Sequence, residues 1–417
     1  FNLNRDYMKA DAPEMQAMLA LVETWDPLAT IDLHVTDGAQ FEHDVSIQVE
    51  PAHAGDAELQ VAGRALRDGV IADLKRQGSL PLPYYPSFNT YDDPTSGVTD
   101  GVAQPRFSTG YFQLRNRFAM LVETHSWKDY PTRVRITRNT VVSVLGQVAR
   151  NGKRWLAQQH DADRRTAVLA GTPVALDWKA TDAVRVEDFR GYAYTRTPSE
   201  VSGTLMTRYD EKTPQVWKMP LQYEVVSALD VVAPRGGYLV PAAHAARVGA
   251  HLRLHGIQFR RIDAAQAHAP VEAFRATKVE LAAASFEGHQ RATLTGEWKA
   301  EARDVPAGSL FVPIAQPRAR LAMALLEPRA PDSMAAWGDF NTAFEQKEYM
   351  EYYVAEAVAR EMLAADPAIK AGFEAKVRDD KAFADDPGAR LQFFHQHHAS
   401  WDERLNLYPV LRTDRVP

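Results

Sequence analysis

Apolar residues recur along the first 165 positions with two different periods. Met15, Met18, Leu19 and Val22 fall on one face of a helix that Asp11, Pro13 and Glu14 start and Asp26-Pro27 ends. Thr30-Ile31-Asp32-Leu33-His34-Val35 then reads as a short buried strand, and Thr36-Asp37-Gly38 turns the chain out of it. Residues 57–77 return to a helical pattern. Arg117 to Val122 is a second short apolar run suited to an internal strand, with Glu123-Thr124-His125-Ser126 at its exit. A helix from about Thr140 to Gln159 closes the region. Strand, helix and strand in this order predict an α/β sheet with its polar residues gathered at the strands' C-terminal edge.

The pattern changes between about Val168 and Pro313. Phe189–Tyr194, Leu221–Val226 and Ala292–Gly296 alternate as half-exposed strands do, with one helix between them at roughly Pro241–Gly256. After Pro331-Asp332-Ser333 the text is helical again, acidic and aromatic around Tyr349–Glu356. A chain of 417 residues is too long for one ordinary core. The expected organisation is an α/β portion over residues 1–165, a β-rich portion over 166–330 and a helical tail over 331–417 that packs on the rest.

Composition narrows the function. With 45% hydrophobic and 24% charged residues the chain has a globular profile, and a net charge of −6 gives nucleic acid no electrostatic support as a partner. No stretch of about 18 apolar residues is present to span a membrane. There is no cysteine, so thiolate catalysis and disulfides are excluded and any metal is held by His and carboxylates. The chain opens on FNLNRDYM, without Met or an apolar leader, and that opening reads as the interior of a longer sequence. The lack of cysteine suits an exported protein, and a periplasmic or secreted location is expected. Nothing in the pattern fixes an oligomeric state.

Three elements could carry chemistry. His34, at the end of an apolar strand, can serve as a metal ligand or general base, or as a core histidine held by backbone carbonyls. Glu123 follows Met120-Leu121-Val122, where a carboxylate is costly to bury. It is either a general base with a raised pKa or half of an ion pair with Arg115 or Arg117. Asn4-Arg5 offers an amide beside a guanidinium, suited to gripping a carboxylate, or is a plain polar loop.

The order of NLNRD, DLHVTDG and LVETHS resembles that of the zinc metallocarboxypeptidases of the carboxypeptidase A type. The likeness is to a bacterial subgroup with a long C-terminal extension. Pro234–Pro241, Leu252–Ile257, Leu326–Arg329 and Lys347-Glu348-Tyr349 look like parts of that extension. The resemblance implies a mixed-sheet α/β/α catalytic domain, of which residues 1–165 would be the C-terminal part, and a hydrolase acting in proteolysis. Asn4 and Arg5 would hold the terminal carboxylate of a peptide substrate, His34 would bind Zn²⁺, and Glu123 would be the general base. A tyrosine commonly precedes the catalytic Glu in that family, and Tyr111 stands in that stretch.

One departure matters. The family's zinc site also uses a His-x-x-Glu pair upstream of the Asn-Arg element, and none of the thirteen histidines has Glu three residues later. His34, His53 and His160 have Asp at that spacing, and the latter two lie in polar, surface-like text. The chain alone is therefore expected to bind zinc poorly and to hydrolyse nothing, since a catalytic zinc takes three protein ligands. The rival readings are a non-catalytic binder of peptide or cell-wall termini and an esterase-like or amidohydrolase site. His251 and His255, four apart on a helix, and His395-Gln396-His397-His398 read as packing or solvated residues. His125 shares the face of Glu123 if the strand runs through both.

Overall fold

Residues 1–165 build their structure around a four-stranded mixed sheet. The computed structural model describes residues 1–417. The strands are β1 (Ala29–Val35), β2 (Val45–Glu50), β3 (Pro81–Leu82) and, beyond the two-residue strand β4 (Val98–Thr99) of another sheet, β5 (Phe118–Thr124). Their order is β1-β5-β2-β3, with β1 parallel and β2 antiparallel to β5. Helices α1 (Pro13–Trp25), α2 (Ala57–Arg76), α3 (Ser108–Leu114) and α4 (Tyr130–Thr166) surround the sheet. The chain is thus of mixed α/β class, as its periodicities predict.

Side chains on a strand alternate between faces, and here the two faces differ in kind. Val45, Ile47, Val49, Phe118, Met120 and Val122 point to one side and form a core with Leu59, Leu66 and Val70 of α2 and Ile136, Val144 and Trp155 of α4. The other side carries Asp32 and His34, Ser46, Gln48 and Glu50, and Leu121 and Glu123. Helix α4 extends well beyond the 140–159 expected. Its start is set by Asp129, whose side chain accepts from the Thr132 amide at 3.1 Å, with Pro131 in the first turn. Few apolar residues mark that first stretch, so periodicity alone reveals only its middle.

The β-rich portion holds three further groups of strands. β6 (Pro173–Ala180) pairs with β9 (Val225–Val232), and between them β7 (Val184–Pro198) and β8 (Leu205–Gln222) form a long hairpin. Beyond them lie β10 (Gly237–Val240), α5 (Ala242–Leu254), β11 (Arg260–Arg261), β12 (Gln266–Leu281), β13 (Ala292–Val305) and β14 (Leu310–Pro313). After α6 (Ala319–Leu326) the tail runs through α7 (Tyr352–Ala365), α8 (Pro367–Asp379), α9 (Lys381–Asp385) and α10 (Pro387–His397). It then returns as β15 (Leu411–Thr413), which enters the sheet between β10 and β12 to give the order β11-β14-β10-β15-β12-β13. The largest core joins Tyr7 and Leu19 with Val240, Leu252 and Phe274 and with Phe340 and Tyr408, so all three stretches share it. No helix is long and apolar enough to cross a membrane.

The base of the β7–β8 hairpin braces the loop that leads into α3. β4 pairs with β8, the Asp100 amide donates to the Gln222 carbonyl at 2.9 Å, and Phe41, Tyr84 and Val98 pack on Phe189, Trp217 and Leu221. Gly97 makes this approach possible. It has φ +82°, and a Cβ there would meet the Pro220 carbonyl oxygen at 2.4 Å. Gly97→Ala is expected to destabilise the chain by about 1–3 kcal/mol and to speed proteolysis within residues 83–107. Denaturation midpoints and cleavage mapping that match the wild type would show that this contact does not brace the loop.

Candidate functional site

The Asn4-Arg5 turn is held in place by Asp6 and Tyr7. Asp6 is fully buried, accepts from the amides of Ala12 (2.9 Å) and Asp11 (3.2 Å), and pairs with buried Lys9. Tyr7 packs on Tyr111 and Phe112, with ring centroids 5.5 and 6.0 Å apart. From these anchors the chain presents Arg5 half-buried above Phe107, whose ring lies 5.9 Å from the Arg5 guanidinium carbon, with Asn4 beside it. Arg5 has no ion-pair partner, and neither side chain makes a hydrogen bond within the protein.

Register places the other two elements side by side. β1 and β5 pair with His34 opposite Glu123 and Asp32 opposite Leu121, on strands about 4.8 Å apart. His34 Nε2 lies 2.8 Å from Asp32 Oδ1, which leaves Nδ1 without a partner. Glu123 is 8% exposed and its Oε2 has no hydrogen-bond partner. Burial pushes its pKa up to about 7; charge on His34 opposes that rise, and the carboxylates of Asp32 and Asp37 add to it. The ion-pair alternative for Glu123 does not hold. Arg115 pairs with Glu23, and Arg117 reaches Asp26 at 2.9 Å and Asp163 at 2.9 Å.

Asn4, Arg5 and Glu123 line one cleft of about 430 Å³, together with Tyr85, Gln48, Glu50, His53 and Asp100. His34 opens instead on a neighbouring cavity of about 280 Å³, where Asn4 is again in the wall with Tyr7 and Asp32. The structure therefore gathers three of the four expected residues in one space and sets the fourth beside it, through the strand register. A carboxylate behind an imidazole is the arrangement that orients metal-binding histidines, so the Asp32–His34 pair suits a ligand. No group of three or more His, Asp or Glu residues converges on a common point, however. On their own these residues do not fit a catalytic zinc, which takes three.

Several other expectations are corrected by the structure. Tyr111 is fully buried and bonds the His255 ring at 2.9 Å, so it does not reach the cleft; Tyr85 is the tyrosine that lines it. His53 is not a surface residue but a cleft residue, with Nδ1 2.8 Å from Glu50 and Nε2 3.6 Å from Asp100. His125 lies past the end of β5, stacks on Phe41 at 4.0 Å and is driven to a pKa of about 3 by burial, which makes it a neutral packing residue. The alternation Ser46, Gln48, Glu50 on β2 was the signal that could have marked a polar sheet face. His255, by contrast, is the packing residue that its sequence context suggests, fully buried and bonded to Tyr111 and the Met8 carbonyl.

No protein-family model, curated protein or solved structure matches this chain. The functional reading therefore stands on the geometry of the cleft.

Glu123 gives a test of that geometry. Its pKa in the folded chain, about 7, lies above the ordinary 4.5, so the native state binds this proton more tightly than the unfolded chain does. The native state is penalised increasingly as pH rises from about 4.5 to 7. Glu123→Gln cannot ionise and escapes the penalty. The variant is expected to be more stable than the wild type by about 1–3 kcal/mol at pH 8 and equal to it at pH 4, as read from denaturation midpoints. An equal difference at both values would rule out the raised pKa.

Proposed function

We propose that the cleft holds the C-terminal end of a peptide, in the manner of a carboxypeptidase A-type zinc peptidase. The observation that supports this reading most is an unpaired guanidinium and an unpaired, buried carboxyl group in the walls of the same cleft. Arg5 would take the terminal carboxylate in a bidentate grip, with the Asn4 amide as a further donor. Glu123, with a pKa near neutrality, would accept a proton from water and return it to a leaving amine. His34, oriented by Asp32, would be the one metal ligand that this chain contributes. Residues 1–417 alone bring no complete ligand set to Zn²⁺, so this chain by itself would recognise peptide termini without cutting them.

Peptide binding by titration calorimetry tests the clamp. A short peptide with a free C-terminus is expected to bind at least tenfold more tightly than its C-terminal amide, since hydrogen bonds to charged groups contribute about 1.5–3 kcal/mol. Arg5→Ala should abolish that difference. Equal binding of acid and amide by the wild type would remove the basis for the reading. In a separate measurement, the chain dialysed against Zn²⁺ is expected to retain less than one equivalent and to release no amino acid from the peptide. Tight stoichiometric zinc would reveal ligands that do not converge in this structure.

A further inference from the structure

The four-stranded sheet has two edges, and only one of them is protected. At one end lies β3, two residues long and begun by a proline. At the other lies β1, seven residues paired to β5 in unbroken register, with no proline, lysine, arginine or bulge to deter a further strand. β13, an edge of the six-stranded sheet, shows the usual protection, with Glu297 and Lys299 exposed along it. The outer main-chain groups of β1 follow from two bonds at its ends. The Thr36 amide donates to the Thr124 carbonyl at 2.9 Å, and the Leu28 carbonyl accepts from the Phe118 amide at 3.3 Å, so even-numbered residues face β5. The N–H and C=O of Ile31, Leu33 and Val35 therefore point away from β5, the one strand that β1 pairs with.

Beside that edge runs an apolar groove of about 640 Å³. Leu33 and Val35 form one wall, and Tyr130, Val134, Val141 and Val142 of α4 form the other. Leu33, Val35, Val134 and Val142 are each about half exposed, and Tyr130 more so. Single apolar side chains at a surface are ordinary, but a contiguous apolar groove along an open strand marks a place where another chain packs. Two arginines also line it. Arg133 donates to the Ser126 and Lys128 carbonyls at 2.8 and 3.1 Å, and Arg138 is exposed enough to keep its guanidinium in water.

The strand that complements this edge is β1 itself. Two such strands bond antiparallel only in registers that set odd residues opposite odd ones. With Leu33 opposite Leu33, Ile31 meets Val35, Thr30 meets Thr36, and Asp32 meets His34 on the cleft face. Apolar residues then face apolar ones, threonine faces threonine, and the acid faces the imidazole, the pairings that favour antiparallel strands. His34 Nδ1, which has no partner in the fold, gains a carboxylate opposite it. A register centred on Asp32 sets Asp32 against Asp32, and a parallel in-register pairing does the same. Like charges directly opposite are unfavourable, so one register stands out.

We infer that a second copy of this chain adds to the β1 edge, antiparallel about a twofold axis at Leu33, doubling the sheet and covering the apolar groove of each copy. Such a contact is isologous, so it closes at two copies and leaves no β1 edge for a third. Asp32 of each copy stands across from His34 of the other, so the two His34 cavities become neighbours across the axis.

The lack of cysteine makes the register testable by cross-linking. Sedimentation of the whole chain is expected to show a dimer that dissociates on dilution. Leu33→Pro, which removes an outward N–H and no bond within the sheet, should weaken that dimer at least about tenfold. Leu33→Cys should give a disulfide-linked dimer under mild oxidation, since Cα atoms of a hydrogen-bonded antiparallel pair lie about 5.5 Å apart, within disulfide reach. Val201→Cys, at the exposed tip of the β7–β8 hairpin, should cross-link at least about tenfold less. A wild-type chain that is monomeric at about 100 µM would overturn the inference and leave the edge to an extended segment of another protein. A dimer as strong in Leu33→Pro as in the wild type, or equal cross-linking of the two cysteine variants, would overturn it as well. Sedimentation of the wild type and the cysteine pair decide the matter even if Leu33→Pro does not fold, and neither depends on the peptide-terminus reading.

Discussion

The site depends on the register of one central strand. β5 is flanked on both sides, and the burial of Phe118, Met120 and Val122 against α2 and α4 fixes which way its side chains point. With a period of two, that choice sends Leu121 and Glu123 to the opposite face, and a slip of one residue would exchange the faces entirely. Burying three such apolar side chains stabilises by about 5–9 kcal/mol in total. Holding Glu123 in a desolvated position costs about 3 kcal/mol when it ionises. The apolar face therefore outweighs the acid, and the sheet can keep a largely buried carboxyl group in the wall of the cleft.

Much of the first 165 residues was legible because its elements are locally encoded. The helices at 13–25 and 57–76 and the strands at 29–35 and 118–124 follow from periodicity and turn chemistry, and so does the placing of His34 and Glu123 near strand ends. That the two stand side by side was not legible, since their strands are far apart in sequence and other strands of the chain intervene. His53, Tyr85 and Asp100 were missed for a related reason. They sit in turns and loops, and what brings Asp100 to the cleft is a long-range contact, its amide bonding Gln222 at the base of the β7–β8 hairpin. Loop residues placed by a distant brace leave no local pattern to read.

The later parts of the chain are tied to the first by more than apolar contact. Arg412 on β15 reaches Glu327 at 3.0 Å, and Tyr238 on β10 and Trp298 on β13 donate to the same carboxylate at 2.6 and 3.2 Å. Such a buried and fully bonded charge adds little net stability, since desolvation offsets much of the attraction. It does demand one arrangement of three strands, because leaving Glu327 unpaired there would cost several kcal/mol. The last strand of the chain is thereby locked into the six-stranded sheet.

That network shows what this protein does with charges it uses for structure, and the contrast bears on the cleft. Arg115 has Glu23, Arg117 has Asp26 and Asp163, Arg106 has Asp332, and Arg165 has Asp56. In each of these pairs the charge is matched within the fold. Arg5 has no carboxylate and Glu123 has a bare oxygen, although both line one cleft. Groups that lower stability without a partner in the fold are best accounted for by a partner that arrives from solution. A ligand anion would give Arg5 the partner that the fold withholds, and would bring the rest of that ligand beside Glu123 in the same cleft.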